Sequence, residues 1–264
     1  MALTPLLLLH PVFTRNNPLA GRASPLLCYV TDRHALRVAN PAESIAALTQ
    51  KIEEVAAAGI DWVQIREKEL TASELASLTR QSLRIAAKSS AKHSGAVRVL
   101  VNDRLDVAIA ERADGIHLGE NSLPVVEAKR LVESAIRKQA LDKSFLIGVS
   151  CHSIEAAAAA QRDGADYIFF GPVFATPSKA AFGAPQGMAR LEEVCRAVAI
   201  PVLAIGGIML DNAESGIAAR VAGIAAIRLF QDAVDPTRAI RRLRQLFSDH
   251  RQLPAGRRNS CHRS

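Results

Sequence analysis

Aromatic residues and cysteines are scarce in this chain, and no apolar run is long enough to span a membrane. Aromatic residues make up only 4% of the 264 residues. The four cysteines lack CxxC spacing, so no zinc ligand set is visible and we expect small buried thiols in a reducing compartment. The apolar stretch at 3–9 is too short for a membrane span and lacks the basic flank of a signal peptide. We expect a cytoplasmic protein without a membrane partner.

Acidic residues are missing from both ends of the chain, and this locates its positive charge. Residues 1–24 and 251–264 contain six of the 33 arginine and lysine residues and no aspartate or glutamate. The other 27 basic residues face 26 acidic ones, so the body is almost neutral. A nucleic-acid-binding protein needs a basic face on its folded body, so we expect no nucleic-acid partner. We also predict an irregular extension over 1–25 and a basic, disordered tail over 249–264.

From residue 26 onward, short β-like runs alternate with longer helix-like runs. Apolar runs predict strands at 27–30, 62–65, 97–101, 115–118, 145–149, 167–170, 202–205 and 224–227. Intervening patterns predict helices at 41–58, 72–88, 105–111, 123–138, 154–162, 191–197, 210–219 and 236–247. Eight such units predict an α/β fold, a TIM (β/α)8 barrel that forms one domain over 26–248. A doubly wound open sheet is the alternative, but no GxGxxG motif follows the first strand.

Three near-repeats support this count of alternating units. The segments 57–62, 113–116 and 163–167 each combine small residues, a glycine and an aspartate where a helix ends and a strand begins. Glycine at a helix exit tolerates a left-handed backbone. The three segments therefore indicate helix exits that lead into strands.

Two charged clusters follow the second and third predicted strands. The first contains Gln64, Arg66 and Lys68, and the second contains Asn102 and Asp103. Side chains alternate between the faces of a strand, so Gln64, Arg66 and Lys68 are predicted to point the same way. In a TIM barrel, the carboxyl ends of the strands present such polar groups to a ligand.

Polar residues follow the other predicted strands in the same manner. They are His117, Ser150 with His152, Thr176 with Ser178 and Lys179, Gly206 with Gly207, and Arg228. Each has an ordinary explanation: a buried histidine can be satisfied within the core, and a cation after a strand is usually solvated. Because all of them follow predicted strands, they are expected at the same end of the barrel, and this shared position favours a functional site there. Cations, hydroxyls and glycine amides suit a phosphorylated substrate, with two separate groups of cations suiting a diphosphate. Asp103 is the candidate ligand for Mg²⁺.

These motifs, in this order, resemble the thiamine phosphate synthase superfamily, which includes a thiazole tautomerase branch. The resemblance runs from about Tyr29 to Gln231 and implies a TIM barrel. It implies a transferase that joins a hydroxymethylpyrimidine diphosphate to a thiazole phosphate, giving thiamine phosphate and diphosphate in thiamine biosynthesis. These small molecules are the expected partners. The sequence leaves open whether the protein forms a homo-oligomer.

The resemblance also implies roles for the candidate residues. Gln64 would hold the pyrimidine, and Arg66, Lys68, Asn102 and Lys179 the diphosphate. Asp103 would bind Mg²⁺. Ser150, Thr176 and Ser178 would bind phosphate oxygens, and the Gly206–Gly207 amides the thiazole phosphate. His117 is included among the substrate-binding residues, and His152 is the candidate for proton transfer.

Two departures from the pattern bear on the function. Ser122 stands where a second Mg²⁺-binding aspartate is common, which weakens the predicted metal site. Arg228 stands where a serine is common, beside the predicted phosphate site. The alternatives are a thiazole tautomerase using His152 as its proton carrier, and a non-catalytic phosphate-binding barrel. The retained cations favour the synthase, because a tautomerase holds only a monophosphate.

Overall fold

The strands form a closed, parallel, eight-stranded barrel. The computed structural model describes residues 19, 24–36, 38, 40–91, 95–176 and 184–252. Each strand pairs in parallel with the next, and β8 pairs with β1 to close the ring. The TIM barrel predicted from the sequence is therefore confirmed. The strands are β1 (Leu26–Val30), β2 (Trp62–Ile65), β3 (Arg98–Asn102), β4 (Gly115–Leu118), β5 (Leu146–Cys151), β6 (Tyr167–Phe170), β7 (Val202–Ile205) and β8 (Gly223–Ala226).

Helices follow the strands and pack against the outside of the barrel. They are α1 (Ser44–Ala57), α2 (Ala72–Ser90), α3 (Leu105–Ala110), α4 (Val125–Arg137), α5 (Ile154–Asp163), α6 (Gly187–Ala197), α7 (Ala213–Ala218), α8 (Arg228–Gln231) and α9 (Pro236–Gln252). Short 3-10 helices span Arg33–Ala35 and Pro41–Glu43. Among the described residues, no helix has the length and apolarity needed to cross a membrane.

The helix predictions differ from the structure mainly at the ends. Helix α6 begins four residues earlier than predicted, and α9 continues five residues beyond the predicted end at 247. The sequence prediction missed α8 and the 3-10 helix Arg33–Ala35, both too short to show a periodic pattern. The domain bounds and the cytoplasmic location stay predictions.

The aspartates of the three near-repeats have the same structural role. Asp61, Asp114 and Asp166 each precede an even-numbered strand and accept a hydrogen bond from a backbone N–H of the preceding odd-numbered strand. The N–O distances to Leu27, Val99 and Ile147 are 2.9, 2.7 and 2.8 Å, respectively. These carboxylates satisfy amides at the amino ends of the strands, where the ladder has no further partner. The aspartates of the repeats therefore stabilise the amino ends of the strands, at the end of the barrel away from the candidate site.

The glycines of the near-repeats do not share one role. Gly59 and Gly164 have φ values of 89° and 94°, the left-handed conformation that glycine tolerates at a helix exit. Gly115 instead lies in β4, at the first residue of the predicted strand 115–118. Arg112 takes the left-handed conformation at this exit, with φ of 55°. Gly115 is required for space, since a Cβ atom would lie 2.6 Å from the Leu146 carbonyl oxygen.

The barrel has two apolar layers that follow the alternation of strand side chains. One face of the strands packs against the helices, as Tyr29, Val63 and Ile65 do. The other face fills the interior, where Trp62 and Tyr167 have ring centroids 4.8 Å apart. Residues two apart on a strand share a face, and this parity along β2 places Gln64 in the barrel interior with Trp62, directly above it. The apolar interior thus ends in a polar layer at the carboxyl ends of the strands.

Candidate active site

Polar side chains from four consecutive strands form the upper layer of the barrel interior. Gln64, Asn102, His117 and Ser150 come from β2, β3, β4 and β5, in the register Gln64–Leu100 and Asn102–His117. The Gln64 Nε2 group donates to the Asn102 Oδ1 atom at 2.9 Å. The His117 Nε2 atom lies 2.9 Å from the Ser150 Oγ atom. The structure therefore brings these predicted residues together at one end of the barrel.

Asp103 continues the polar layer outward from the barrel. The Asn102 Nδ2 group donates to its Oδ2 atom at 2.7 Å, and the Gly119 N–H group donates to its Oδ1 atom at 3.1 Å. The Ser122 hydroxyl also donates to Oδ1. Both carboxylate oxygens are therefore held, Oδ2 by the last residue of β3 and Oδ1 by the loop after β4.

The backbone of Asp103 is left-handed, with φ of 59°. Aspartate and asparagine are among the few residues other than glycine that adopt this conformation without large strain. The Asp103 N–H group donates to the His117 carbonyl oxygen at 3.0 Å, which ties the turn to β4. This turn positions the carboxylate beside Gly119 and Ser122.

His117 has a partner on each ring nitrogen. Its Nδ1 atom lies 3.2 Å from the Tyr167 hydroxyl, and its Nε2 atom contacts Ser150. The ring also lies against Phe169, with centroids 4.1 Å apart. Burial, with a smaller contribution from the Arg66 charge, lowers its pKa to about 3, although the Asp103 charge opposes this shift. Both ring nitrogens of His117 are therefore engaged within the protein, and its role as a substrate-binding residue stays a prediction.

This buried histidine predicts a specific pH dependence of stability. An unfolded histidine protonates near pH 6.5, whereas folded His117 stays neutral down to about pH 3. Between these values the unfolded state binds more protons, so stability falls as the pH falls. Relative to His117→Gln, the wild-type protein should lose on the order of 1 kcal/mol of unfolding free energy per pH unit. Urea titrations from pH 7 to pH 4.5 measure this; parallel curves for the two proteins would contradict it.

Arg66 and Lys68 lie at the exit of β2, which ends at Ile65. Arg66 is half-buried, and its charge acts on His117, which places it at the barrel mouth. Lys68 is exposed in the following turn, so strand alternation ends before it and does not fix its direction. It lines a depression of about 160 Å³ with Asn102 and Asp103. Neither cation forms an ion pair with another of the residues that the structure describes.

The Gly206–Gly207 turn follows β7 on the opposite side of the barrel from β3. Both glycines have positive φ values, 95° and 66°. A Cβ atom on Gly206 would lie 2.5 Å from the Pro172 Cα atom, and one on Gly207 would lie 2.6 Å from the Ala175 carbonyl oxygen. Only glycine therefore fits this turn, which packs against the β6–α6 loop. Thr176 of that loop is half-buried, whereas Ser178 and Lys179 lie outside the described residues.

His152 and Arg228 complete the predicted set. The His152 Nδ1 atom contacts the Gly171 carbonyl oxygen. Because a carbonyl only accepts, this contact requires Nδ1–H and leaves Nε2 as the basic nitrogen of the neutral ring. Arg228 is exposed and begins α8, two residues beyond the end of β8.

Three residues at the site were not predicted from the sequence: Thr31, Arg33 and Glu67. Glu67 lies between Arg66 and Lys68 and is buried, and it binds Thr31 and Arg33 from the end of β1. The signal in the sequence for this group was the position of the Glu67 carboxylate between two cationic side chains. Because Thr31 and Arg33 lie more than 30 residues away, only the pairing of β1 with β2 reveals their contact.

Comparison with known proteins matches the barrel to a known protein family. The family description "Thiamine monophosphate synthase" matches residues 28–230. The chain belongs to this thiamine monophosphate synthase family. The match begins within β1 and ends in α8, so it includes strands β2 to β8 and every described candidate residue.

Individual members of the family align over most of their length. The "Putative thiamine-phosphate synthase" of Geobacter sulfurreducens is 40% identical over 221 residues, covering 84% of this chain and 93% of that protein. The "Thiamine-phosphate synthase" of Methanoculleus marisnigri is 43% identical over 189 residues, covering 72% and 82%. The solved structure of thiamine phosphate pyrophosphorylase from Pyrococcus furiosus superposes with a TM-score of 0.69 at 29% identity, covering 85% of this chain and 96% of that one.

Proposed function

We propose that this chain is a transferase that makes thiamine phosphate. It would join a hydroxymethylpyrimidine diphosphate to a thiazole phosphate and release diphosphate. Membership of the thiamine monophosphate synthase family supports this reaction, as do relatives about 40% identical that are named thiamine-phosphate synthase. The sequence motifs at the barrel mouth resemble those of the thiamine phosphate synthase superfamily, and this resemblance implies the same reaction.

The Gln64 Oε1 atom is the observation that carries the proposal. It is buried at the barrel mouth and has no hydrogen-bond partner among the described residues. Leaving a buried acceptor unpaired costs about 1–3 kcal/mol, so such an atom is suited to a donor on a ligand. The amino group of an aminopyrimidine is such a donor. Since Nε2 is held by Asn102, the amide orientation that presents Oε1 is fixed in advance.

The cations beside Gln64 suit the departure of a diphosphate. The reaction breaks the bond between the pyrimidine methylene carbon and a diphosphate oxygen, which leaves with the bonding electrons. The thiazole nitrogen lone pair then forms the new carbon–nitrogen bond. Arg66 and Lys68 would stabilise the charge that develops on the leaving oxygen, because preorganised cations act most strongly where charge appears in the transition state. Lys179 and Ser178 would belong to the same diphosphate site.

Asp103 fits a Mg²⁺ ion whose coordination is completed by substrate. No group of three or more His, Cys, Asp or Glu side chains within the described part of the chain forms a protein metal cage. Mg²⁺ is commonly held by one or two carboxylates together with substrate phosphates and water, so a single aspartate suffices. The Ser122 hydroxyl contacts the same carboxylate and would offer the ion a further oxygen. Mg²⁺ bound there would neutralise charge on the diphosphate.

The Gly206–Gly207 turn is the proposed site of the thiazole phosphate. The absence of side chains lets a phosphate approach the backbone amides closely, and the turn after the seventh strand is a recurrent phosphate position in TIM barrels. The Asn212 Nδ2 group donates to the Gly207 carbonyl oxygen at 2.9 Å and holds the turn in place. Ser150 and Thr176 would add hydroxyl contacts to phosphate oxygens.

A thiazole tautomerase is the second candidate, and the tautomer of His152 favours it. With Nδ1–H bound to the Gly171 carbonyl, Nε2 is available to accept a proton, as aromatisation of a thiazole tautomer requires. Ser122, which stands at the predicted position of a metal-binding aspartate, also favours the tautomerase. The unpaired Arg66 and Lys68 charges favour the synthase, because a monophosphate would leave part of this charge unbalanced.

One experiment separates the two activities. Purified protein is incubated with thiazole phosphate in each tautomeric form, with or without pyrimidine diphosphate and Mg²⁺. Formation of thiamine phosphate that stops on addition of EDTA supports the synthase. Tautomer conversion that needs neither Mg²⁺ nor diphosphate, without thiamine phosphate, supports the tautomerase and contradicts the first proposal.

Gln64 can be tested within the same assay. Gln64→Leu should raise the KM for the pyrimidine diphosphate by about 10-fold, because it removes the acceptor offered to the pyrimidine. The KM for thiazole phosphate should change little. Gln50→Leu, on the exposed face of α1, is the matched control. Equal changes in both KM values would argue against a pyrimidine contact.

A further inference from the structure

Glu67 is a buried carboxylate in the middle of the most cationic segment of the site. It follows Arg66 and precedes Lys68, yet only 3% of the residue is exposed. A carboxylate is costly to bury unless it is paired and hydrogen-bonded. The placement of Glu67 therefore depends on the groups that surround it.

The partners of Glu67 come from the segment that follows β1. The Thr31 hydroxyl donates to its Oε1 atom at 2.6 Å. The Arg33 backbone N–H group lies 3.2 Å from both carboxylate oxygens, and the Arg33 Nη1 group donates to Oε2 at 3.1 Å. Both ends of the carboxylate are thus held by one short segment. We name Thr31, Arg33 and Glu67 the rim clamp.

The rim clamp also holds the backbone of Arg66. The Arg66 N–H group donates to the Thr31 Oγ1 atom at 2.9 Å, so this hydroxyl accepts from Arg66 and donates to Glu67. The Thr31 N–H group donates to the Gln64 carbonyl oxygen at 2.9 Å. Residues 64, 66 and 67 are therefore all bound to the exit of β1, and the last two of them lie beyond the end of β2.

The segment that supplies Thr31 and Arg33 is itself anchored. The Gln231 Nε2 group donates to the Asp32 carbonyl oxygen at 2.9 Å, and the buried Tyr29 hydroxyl donates to Gln231 Oε1 at 2.8 Å. The Asp32 side chain accepts from the His34 N–H group at 3.1 Å. The rim clamp therefore connects the β2 exit to a segment that hydrogen bonds join to β1 and α8.

The charges of the rim clamp cancel internally. Arg33 pairs with Glu67 and also contacts the exposed Glu69 carboxylate, so its charge is already balanced. Glu67, in turn, is directed away from its two cationic neighbours. Within the described ranges, Arg66 and Lys68 keep their charges unpaired and available to an anion.

We propose that the rim clamp is a positioning device for diphosphate, in which Thr31, Arg33 and Glu67 hold Arg66 and Lys68 without contacting the substrate. The inference rests on the proposed function, since it names what presents the cations to the leaving group. Loss of the Thr31 hydroxyl frees the backbone of Arg66 and leaves the buried Glu67 oxygen short of a donor.

Thr31→Val and Thr31→Ser test this role. Calorimetric titration with inorganic diphosphate in the presence of Mg²⁺ should show about 10-fold weaker binding for Thr31→Val. Thr31→Ser keeps the hydroxyl and should restore binding to near the wild-type value. In steady-state kinetics, Thr31→Val should raise the KM for pyrimidine diphosphate and leave the KM for thiazole phosphate unchanged.

Thr79→Val is the matched control, because Thr79 is fully buried on α2 and its Oγ1 atom has no hydrogen-bond partner among the described residues. It should leave diphosphate binding unchanged. Glu67→Gln provides a second variant if Thr31→Val fails to fold, and it should also weaken diphosphate binding. The rim clamp is refuted if Thr31→Val binds diphosphate as tightly as the wild type, or if Thr31→Ser does not rescue it. If the wild-type protein makes no thiamine phosphate, the proposed function fails, while the diphosphate titrations still decide the role of the rim clamp.

Discussion

Replacing Arg66 with methionine is expected to lower kcat for thiamine phosphate formation by roughly 10²- to 10³-fold, the loss typical of removing one preorganised group that stabilises transition-state charge. Methionine keeps much of the apolar stem, so packing at the barrel mouth should persist. The guanidinium is unpaired among the described residues, and its removal should leave no buried partner charge behind. Steady-state kinetics with release of diphosphate as the readout measure the effect.

Arg162→Met is the matched control for Arg66→Met. Arg162 is exposed in the last turn of α5, at the end of the barrel away from the candidate site. This variant should keep wild-type kinetics. If Arg66→Met also turned over at the wild-type rate, Arg66 would not act on the leaving diphosphate, whatever else it contributes to the barrel mouth.

Asp103→Asn is expected to have the second large effect. It should weaken Mg²⁺ binding in the presence of diphosphate by at least about 10- to 100-fold, the range seen when even a residue that only supports a metal ligand is lost. Asparagine tolerates the left-handed backbone at this position, and its amide can pair with both Asn102 and Ser122. The fold should therefore persist, and calorimetric titration of Mg²⁺ with inorganic diphosphate gives a readout independent of activity.

Ser122→Asp provides the opposite change at the same place. A second carboxylate beside Asp103 adds a hard oxygen ligand, so Mg²⁺ should bind more tightly than to the wild-type protein. Asp163→Asn, at the exposed end of α5, should leave Mg²⁺ binding unchanged. Unaltered Mg²⁺ binding by both Asp103→Asn and Ser122→Asp would remove the proposed metal site from this loop.

The barrel was predictable because each strand contains a short, mainly apolar run and most of the helices have a periodic apolar pattern. At the amino end of α5, for example, the Ser153 hydroxyl caps the helix and accepts from the Ala156 N–H group at 3.1 Å. Segments of three or four residues, such as α8 and the 3-10 helix Arg33–Ala35, escaped prediction. Their conformation depends on contacts with other strands rather than on periodicity.

The candidate site was predictable to the extent that strand parity determines direction. Gln64 has the same parity as the interior Trp62, and Asn102 has the same parity as Leu100, so both belong to the barrel interior. His117 was found by the same rule, but its partners Tyr167 and Ser150 lie 50 and 33 residues away. Whether a polar interior residue faces a ligand or a protein neighbour depends on what the adjacent strands present.

The sequence alone determined the alternation of strands and helices, the interior parity of Gln64 and Asn102, and the grouping of cations after β2, because these depend on local spacing along the chain. Only the tertiary structure decided that His117 is satisfied and neutral, that Ser122 contacts Asp103, and that Glu67 is buried against Thr31 and Arg33. Each of these contacts joins residues on different strands or loops. Burial and pairing then set the charge that the barrel mouth presents, so the chemistry of the site is a property of the closed barrel rather than of any one motif.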